Sequence, residues 1–287
     1  MRSLVADELS QPVDPRVIGL AKAIASEHGD ASRAVLFYGS CLRQKQLEGL
    51  MLDFYLIVSD YRAAYAKRWL ATANRLIPPN VFYFERDGLR AKYAVLSEAD
   101  FLHECLPEAW NVSTAARFAQ PSRLVWSSDA GAAETAIATV SHAAPTLLGW
   151  TAPLAPPDVP PLDLWKRAFQ LTFNAELRAE RSDRSAMIVD SEPERYRRFA
   201  TAARAAAESS TGAASRWWRK KQLKGKAYSV VRLAKASATF AGGPDYIAWK
   251  VNRHAGTNIQ LKPWQRRWPL LAAITLLPRL LKTGSVR

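Results

Sequence analysis

The chain has 287 residues, 48% of them apolar, with 40 Lys or Arg against 26 Asp or Glu and a formal net charge of +14. That length and apolar content suffice for a real core and for two domains, which excludes a disordered tail or a disulfide-stapled miniprotein. Cys41 and Cys105 form no CxxC pair, and His103 beside Cys105 has no further ligands at zinc-site spacing, so neither a zinc site nor an obligatory disulfide is expected.

The positive charge is concentrated at one end. Residues 215–287 hold 16 Lys or Arg and one acid, Asp245, whereas residues 1–214 hold 24 basic and 25 acidic side chains. An anionic partner is therefore expected for the last quarter alone. The opening MRSLVADELSQP has early acids and no apolar stretch, so no signal or transit peptide is expected. The longest apolar run, Trp268 to Leu281, is too short to span a bilayer and contains Pro269 and Pro278.

In chain order, Pro15 to Glu27 has Val17, Leu20, Ala21 and Ile24 at helical spacing, and His28-Gly29-Asp30 closes it. Ala34 to Tyr38 reads as a strand stopping at Gly39-Ser40, and Met51 to Val58 as a second strand with Asp53 inside it. Leu42 to Leu50 fits a short helix or an ordered loop. Asp60 to Ala73 returns to helical spacing and ends at Ile77-Pro78-Pro79-Asn80. Two β-rich runs then meet at Arg86-Asp87-Gly88, a strong hairpin signal, so a mixed sheet of at least four strands is expected to finish near Ser97. From there to Thr146 helical patterns dominate. TAPLAPPDVPP, 151–161, reads as a linker or rigid crossing segment. Leu162 to Ala207 reads as helical with an interruption at Ile188 to Pro193, Ser209 to Ser215 as a joint, and the basic tail as two or three helices.

The fold expected is α+β: a nucleotidyltransferase-like mixed sheet with helices over residues 1–150, a helical, winged-helix-like domain over 151–214, and a basic amphipathic membrane-binding tail over 215–287. The chemistry follows from one stretch. A Gly-Ser turn after a strand offers backbone N–H groups and a hydroxyl to a triphosphate, and a carboxylate on the neighbouring strand offers a ligand to Mg²⁺. Tyr38, Gly39 and Ser40 are thus the expected nucleotide-binding residues and Asp53 the expected metal ligand. Such sites usually carry a second carboxylate two residues on, which strand alternation places on the same face. Tyr55 stands there, leaving Asp60 or Glu85 to complete the metal site. Lys92, in an otherwise apolar strand, is positioned to stabilise charge on departing pyrophosphate.

KYAVLSEADFLHECLPEAWNVSTAARFAQPSRLV, beginning at Lys92, resembles a stretch of the mitochondrial-type phosphatidate cytidylyltransferases, the translocator assembly and maintenance type of CDP-diacylglycerol synthase. Lys92, Tyr93, Trp110, Arg117, Gln120 and Pro121 carry the likeness, together with Phe37 to Ser40 and the run from Asp53 to Asp60. Leu171 to Glu180, with Glu176-Leu177-Arg178, and Val230 to Val251 are similar to later segments of that family, so the likeness covers about residues 30–251. Ala94, where the family has Gly, Cys41 after the Gly-Ser turn, and the segment from Asn252 onward depart from it. The family likewise lacks the second strand carboxylate.

The resemblance implies CTP and phosphatidate as substrates, CDP-diacylglycerol and pyrophosphate as products, Asp53 and Lys92 as catalytic residues, and a protein held peripherally on the cytoplasmic face of the inner membrane. Arg178, Arg219, Lys220, Lys221, Arg266 and Arg267 are the basic residues expected to meet phosphate or lipid. Trp, Lys and Arg interleaved with Leu suit an anionic bilayer surface. No nucleic acid is expected, because no module presents aromatic side chains on strands. Two rivals remain open at this point: a nucleotidyltransferase acting on RNA or a small soluble acceptor, and a non-catalytic lipid-binding protein on a decayed transferase domain.

Overall fold

The computed structural model describes residues 1–44, 47, 49–176, 184–203, 210–239 and 262–264. Helices α1 (Arg2–Leu9) and α2 (Pro15–Ser26) precede strand β1 (Ser32–Tyr38), the short helix α3 (Ser40–Gln44) and β2 (Met51–Val58). Helices α4 (Tyr61–Ala64) and α5 (Arg68–Leu76) lead to the hairpin of β3 (Asn80–Arg86) and β4 (Leu89–Ser97). Then come α6 (Glu98–Cys105), α7 (Ser113–Phe118), β5 (Ser122–Ser127), α8 (Ala130–Val140) and α9 (Ala143–Thr151). The remainder is helical: α10 (Pro161–Asn174), α11 (Arg184–Asp190), α12 (Pro193–Ala203) and α13 (Thr211–Thr239).

The five strands form one sheet in the order β3-β4-β2-β1-β5, parallel between β2 and β4 and antiparallel elsewhere. The hairpin forms where the sequence places it, with Asp87 at φ 51° and Gly88 at φ 74°, the left-handed pair that a two-residue turn between twisted strands requires. Asp14 caps α2 by accepting the backbone N–H of Arg16, and Pro15 occupies the first helical position.

Side-chain alternation gives the sheet two apolar faces. Val35, Phe37, Leu52, Phe54, Leu56 and Val95 pack under α2 and α4, while Leu36, Tyr55, Ile57 and Leu96 belong to a second core. That second core also takes in Trp165, Phe169, Tyr196, Phe199 and Trp218, so residues 1–150, 151–214 and the start of the basic segment share one set of buried contacts. The Pro-rich stretch is part of this packing: residues 152–154 form a single 3-10 turn, Pro160 caps α10, and Leu154 and Val159 rest on the core. A buried ion pair adds a polar tie, with Arg195 of α12 donating to Glu8 of α1 (Nη2–Oε1 2.9 Å) and to the Ala119 carbonyl (2.9 Å).

Two elements differ from the sequence reading. Helix α1 was not foreseen, and Ser122–Ser127, inside a span read as helical, is the fifth strand. SRLVWS is short, and the side chains that fix it, its partners on β1, lie some 90 residues away. Within the stretch expected as a joint, α13 already begins at Thr211.

Helix α13 crosses the helical layer and reaches β3. Trp218 Nε1 donates to the Trp150 carbonyl (2.9 Å), and Tyr228 Oη to the Pro78 carbonyl (3.1 Å). Between these anchors a Cβ on Gly225 would lie 2.2 Å from the Ala175 carbonyl oxygen at the end of α10. Helix propensity favours alanine there by about 1 kcal/mol, while forcing an extra carbon onto backbone costs roughly 1–3 kcal/mol, so overlap decides the sign. Gly225→Ala is expected to lower the thermal unfolding midpoint by several degrees in a melt followed by circular dichroism.

A titrating group sits on the opposite face of the sheet. His28 Nδ1 lies 2.9 Å from the Ala64 carbonyl and Nε2 lies 3.2 Å from Tyr93 Oη, within a ring of Tyr65, Phe82 and Tyr93. Burial lowers its pKa from 6.5, against weaker opposing effects of the Ala64 carbonyl and Glu27. The unfolded chain therefore binds this proton more readily, and stability falls as pH drops below 6.5 until the lower folded pKa is reached. Urea titrations between pH 7 and 5 should show this slope, and His28→Asn should flatten it.

Candidate active site

Strand register brings the site together. Asp53 on β2 is paired with Tyr38 on β1 and with Lys92 on β4; Lys92 is paired in turn with Tyr83 on β3, and Tyr38 with Ser122 on β5. Cross-strand partners point to the same face, so one polar row, Tyr83-Lys92-Asp53-Tyr38-Ser122, crosses all five strands. The row above it is apolar, with Leu36, Tyr55 and Ala94 entering the core.

Within the row, Lys92 Nζ lies 2.9 Å from Asp53 Oδ1, and both side chains keep some contact with solvent. Gly39 closes the other side of the carboxylate. It adopts φ 98°, and a Cβ there would lie 2.9 Å from Asp53 Oδ2. A glycine is required twice over, for the left-handed backbone and for the approach to Asp53. Cys41 follows the turn with its Sγ on the Met51 carbonyl (3.4 Å); burial pushes this thiol's pKa up, and the Asp53 charge adds to the effect.

A second cation reaches the row from above. Arg117, near the end of α7, donates from Nη1 to the Ser113 carbonyl (2.8 Å) and lies 3.9 Å from Glu176 Oε1. Burial works against its charge, yet Tyr55, Glu176, Tyr38 and Asp53 outweigh burial and raise its pKa. Tyr38 is held neutral: burial raises its pKa well above 10, Asp53 and Tyr55 add to this, and Arg117 opposes. The result is a carboxylate paired with Lys92 beside a glycine turn, with the Arg117 charge acting on it from beside Tyr38, able to receive phosphate groups and to offer a ligand to a hard metal ion.

The expected residues separate into those the fold gathers and those it does not. Tyr38, Gly39, Asp53 and Lys92 come together, and Ser40 directly follows the turn as the first residue of α3. Asp60 does not join them. It lies beyond the far end of β2, seven residues and about 23 Å of extended chain from Asp53, where Oδ1 caps α4 by accepting the N–H groups of Arg62 (2.6 Å) and Ala63 (3.1 Å). Glu85 shares the face of Lys92 but sits on the edge strand, paired with Arg90 and accepting from Tyr83 Oη. Sheet spacing puts it on the order of 12 Å from Asp53, backbone to backbone. Among the described residues no three His, Cys, Asp or Glu side chains group to hold a metal ion.

Of the basic residues, Arg219 and Lys220 are exposed on α13. Lys221 is turned inward, where its ammonium donates to the carbonyls of Pro107 (2.8 Å) and Ala109. Arg178, Arg266 and Arg267 lie outside the described residues. Tyr55, standing where a second carboxylate would be expected, is a core residue with its ring 5.4 Å from Tyr38 and 5.1 Å from Phe118. Arg117 and Glu176 were quoted in the sequence only as parts of a resemblance; an arginine in an otherwise small and apolar helix, STAARF, was the signal available.

No protein-family model matches the chain, and no curated protein matches it. A nucleotidyltransferase-like protein from Exiguobacterium sibiricum, known from its crystal structure, aligns with 93% of this chain and 92% of its own at 8% identity and a TM-score of 0.28. A likeness of that degree assigns neither a family nor an activity to this chain.

The Gly39 geometry yields a direct expectation. Gly39→Ala must absorb both the left-handed backbone and the overlap with Asp53, so it should lower the melting midpoint by several degrees in circular dichroism.

Proposed function

We propose that the protein is a CTP:phosphatidate cytidylyltransferase, joining CTP and phosphatidate to give CDP-diacylglycerol and pyrophosphate. The observation that carries the transferase part is the Asp53–Lys92 pair closed by Gly39, with Arg117 above it. The choice of CTP and phosphatidate rests on the sequence resemblance and on the basic C-terminal quarter.

In this reading the triphosphate lies along Gly39-Ser40, and its negative charge draws Lys92 away from Asp53. Magnesium suits a donor set of one carboxylate completed by substrate phosphates and water, so Asp53 would hold it, and the ion would neutralise charge on the phosphates. Lys92 then donates to the departing β- and γ-phosphates. Arg117, kept charged by the Glu176 and Asp53 carboxylates, holds the acceptor phosphate against the α-phosphorus. One oxygen of phosphatidate forms the new P–O bond as the bond from the α-phosphorus to the bridging oxygen breaks. Bringing two polyanions into contact is the main obstacle, and cations already held in a partly dry site lower it.

The test is purified protein with CTP, Mg²⁺ and phosphatidate in mixed micelles, read as CDP-diacylglycerol by chromatography. Wild type should form product, and Asp53→Ala should reduce it by at least about 10³-fold with the fold intact. A folded wild type that binds CTP but transfers only to RNA or a soluble acceptor would replace the acceptor in this reading. Failure to bind CTP and Mg²⁺ at all would favour the non-catalytic alternative.

A further inference from the structure

Helix α13 is built inside out. Positions 214, 218, 221, 225, 228, 232 and 235 repeat every three or four residues and so share one face, the face turned into the protein. They hold Ala214, Trp218, Lys221, Gly225, Tyr228, Arg232 and Lys235, an unusually polar set for an inward-facing seam, and the structure gives its polar members partners. Lys221 donates to Pro107 and Ala109, Tyr228 to Pro78, and Lys235 to the Pro79 carbonyl (2.8 Å) and to that of Ile77, while the Arg232 charge acts on buried Glu104.

The apolar residues are on the other side. At 100° per residue, Leu223, Ala227, Val230 and Val231 form a stripe on the outward face, with Leu223 70%, Val230 37% and Val231 45% exposed. Arg219 and Lys226 border the stripe on one edge and Lys224 on the other, while Arg216 and Lys220 lie in line with it at its N-terminal head; all five are exposed. Trp110, 62% exposed, stands beside it with Lys224 Nζ 4.6 Å from its ring. The 29 residues of α13 contain no Asp or Glu.

We propose that this outward face of α13, together with Trp110, is the surface on which the protein rests against an anionic lipid bilayer. An apolar stripe edged by cations satisfies both layers of such a surface: the stripe enters the acyl boundary while the ammonium and guanidinium groups stay among the phosphates. A second copy of the chain would set five cations against five. A nucleic acid would answer the charges but leave the apolar stripe in water. The surface also lies on the side of the molecule next to the site, because Gly225 rests on Ala175, the residue before Glu176, whose carboxylate lies 3.9 Å from Arg117, so the α13 helix, about 10 Å across, stands between the stripe and that end of the site. The proposal rests on the reading of the protein as an enzyme with a lipid acceptor, and adds the surface that meets the lipid.

The experiment uses the full chain in vesicle sedimentation, with phosphatidylcholine alone or with one third phosphatidylglycerol, which carries charge without being the proposed substrate. Wild type should bind the anionic vesicles, more weakly as salt rises, and ignore the neutral ones. Leu223→Glu/Val230→Glu should weaken that binding by about tenfold or more while keeping the melting midpoint; Arg219→Ser/Lys220→Ser, which leaves the stripe intact, should weaken it less and reduce its salt dependence. Wild type that ignores anionic vesicles, variants that bind as wild type does, or tighter binding to RNA than to vesicles would each overturn the proposal. Transfer in mixed micelles, measured in parallel, separates the two claims: transfer without vesicle binding sinks the surface alone, and vesicle binding without transfer sinks the activity alone.

Discussion

A carboxylate in the middle of a sheet needs its charge answered, and in this protein the answer shapes everything near it. Asp53 is met by Lys92 from the next strand and feels the charge of Arg117 from α7, while Gly39 gives up a side chain so that the β1 turn can approach within contact distance. Without the cations the carboxylate would be an isolated charge in a partly dry setting, and without the glycine the turn would collide with it. The strands meet these needs through register, since Tyr38, Asp53 and Lys92 are direct partners across β1, β2 and β4.

The second cation connects this floor to the helical half of the molecule. Arg117 is held near Glu176, which follows the last turn of α10, and Ala175 in the same turn is the seat of Gly225 on α13. Any displacement of α13 must therefore press on the backbone next to a residue that helps to keep Arg117 charged. A core shared by residues from Val5 to Trp218 makes this contact stiff, because close-packed interiors pass displacement on rather than absorb it.

How much could be read in the sequence varied with the range of the forces involved. The Asp87-Gly88 hairpin, the apolar spacing of α2 and the bounds of β2 are set within a few residues by turn geometry, helical periodicity and alternation, and these were legible. SRLVWS became a strand because β1 presents it with a free edge, a circumstance no local pattern encodes. Asp60 had the right residue type but the wrong place. Counting residues along β2 puts it at the far end, and its oxygen is already engaged by the first turn of α4.

The basic quarter shows the same division. Composition determined that the positive charge would gather at this end of the chain, and its described start is helical, as the sequence pattern led one to expect. Sequence also placed a glycine turn after one strand and a carboxylate in the next, and the structure brings these two together. Only the tertiary structure decided which cations remain available. Lys221 and Lys235 are drawn inward by backbone carbonyls from loops more than a hundred residues away, whereas Arg219 and Lys220, their neighbours on the same helix, stay in solvent. It decided likewise that Lys92 pairs with Asp53 while Asp60 caps α4 and Glu85 accepts from Tyr83. The physical reason is common to both cases: charge and residue type are properties of the chain, but the partner that satisfies a charge is chosen by distance, and distance exists only after folding.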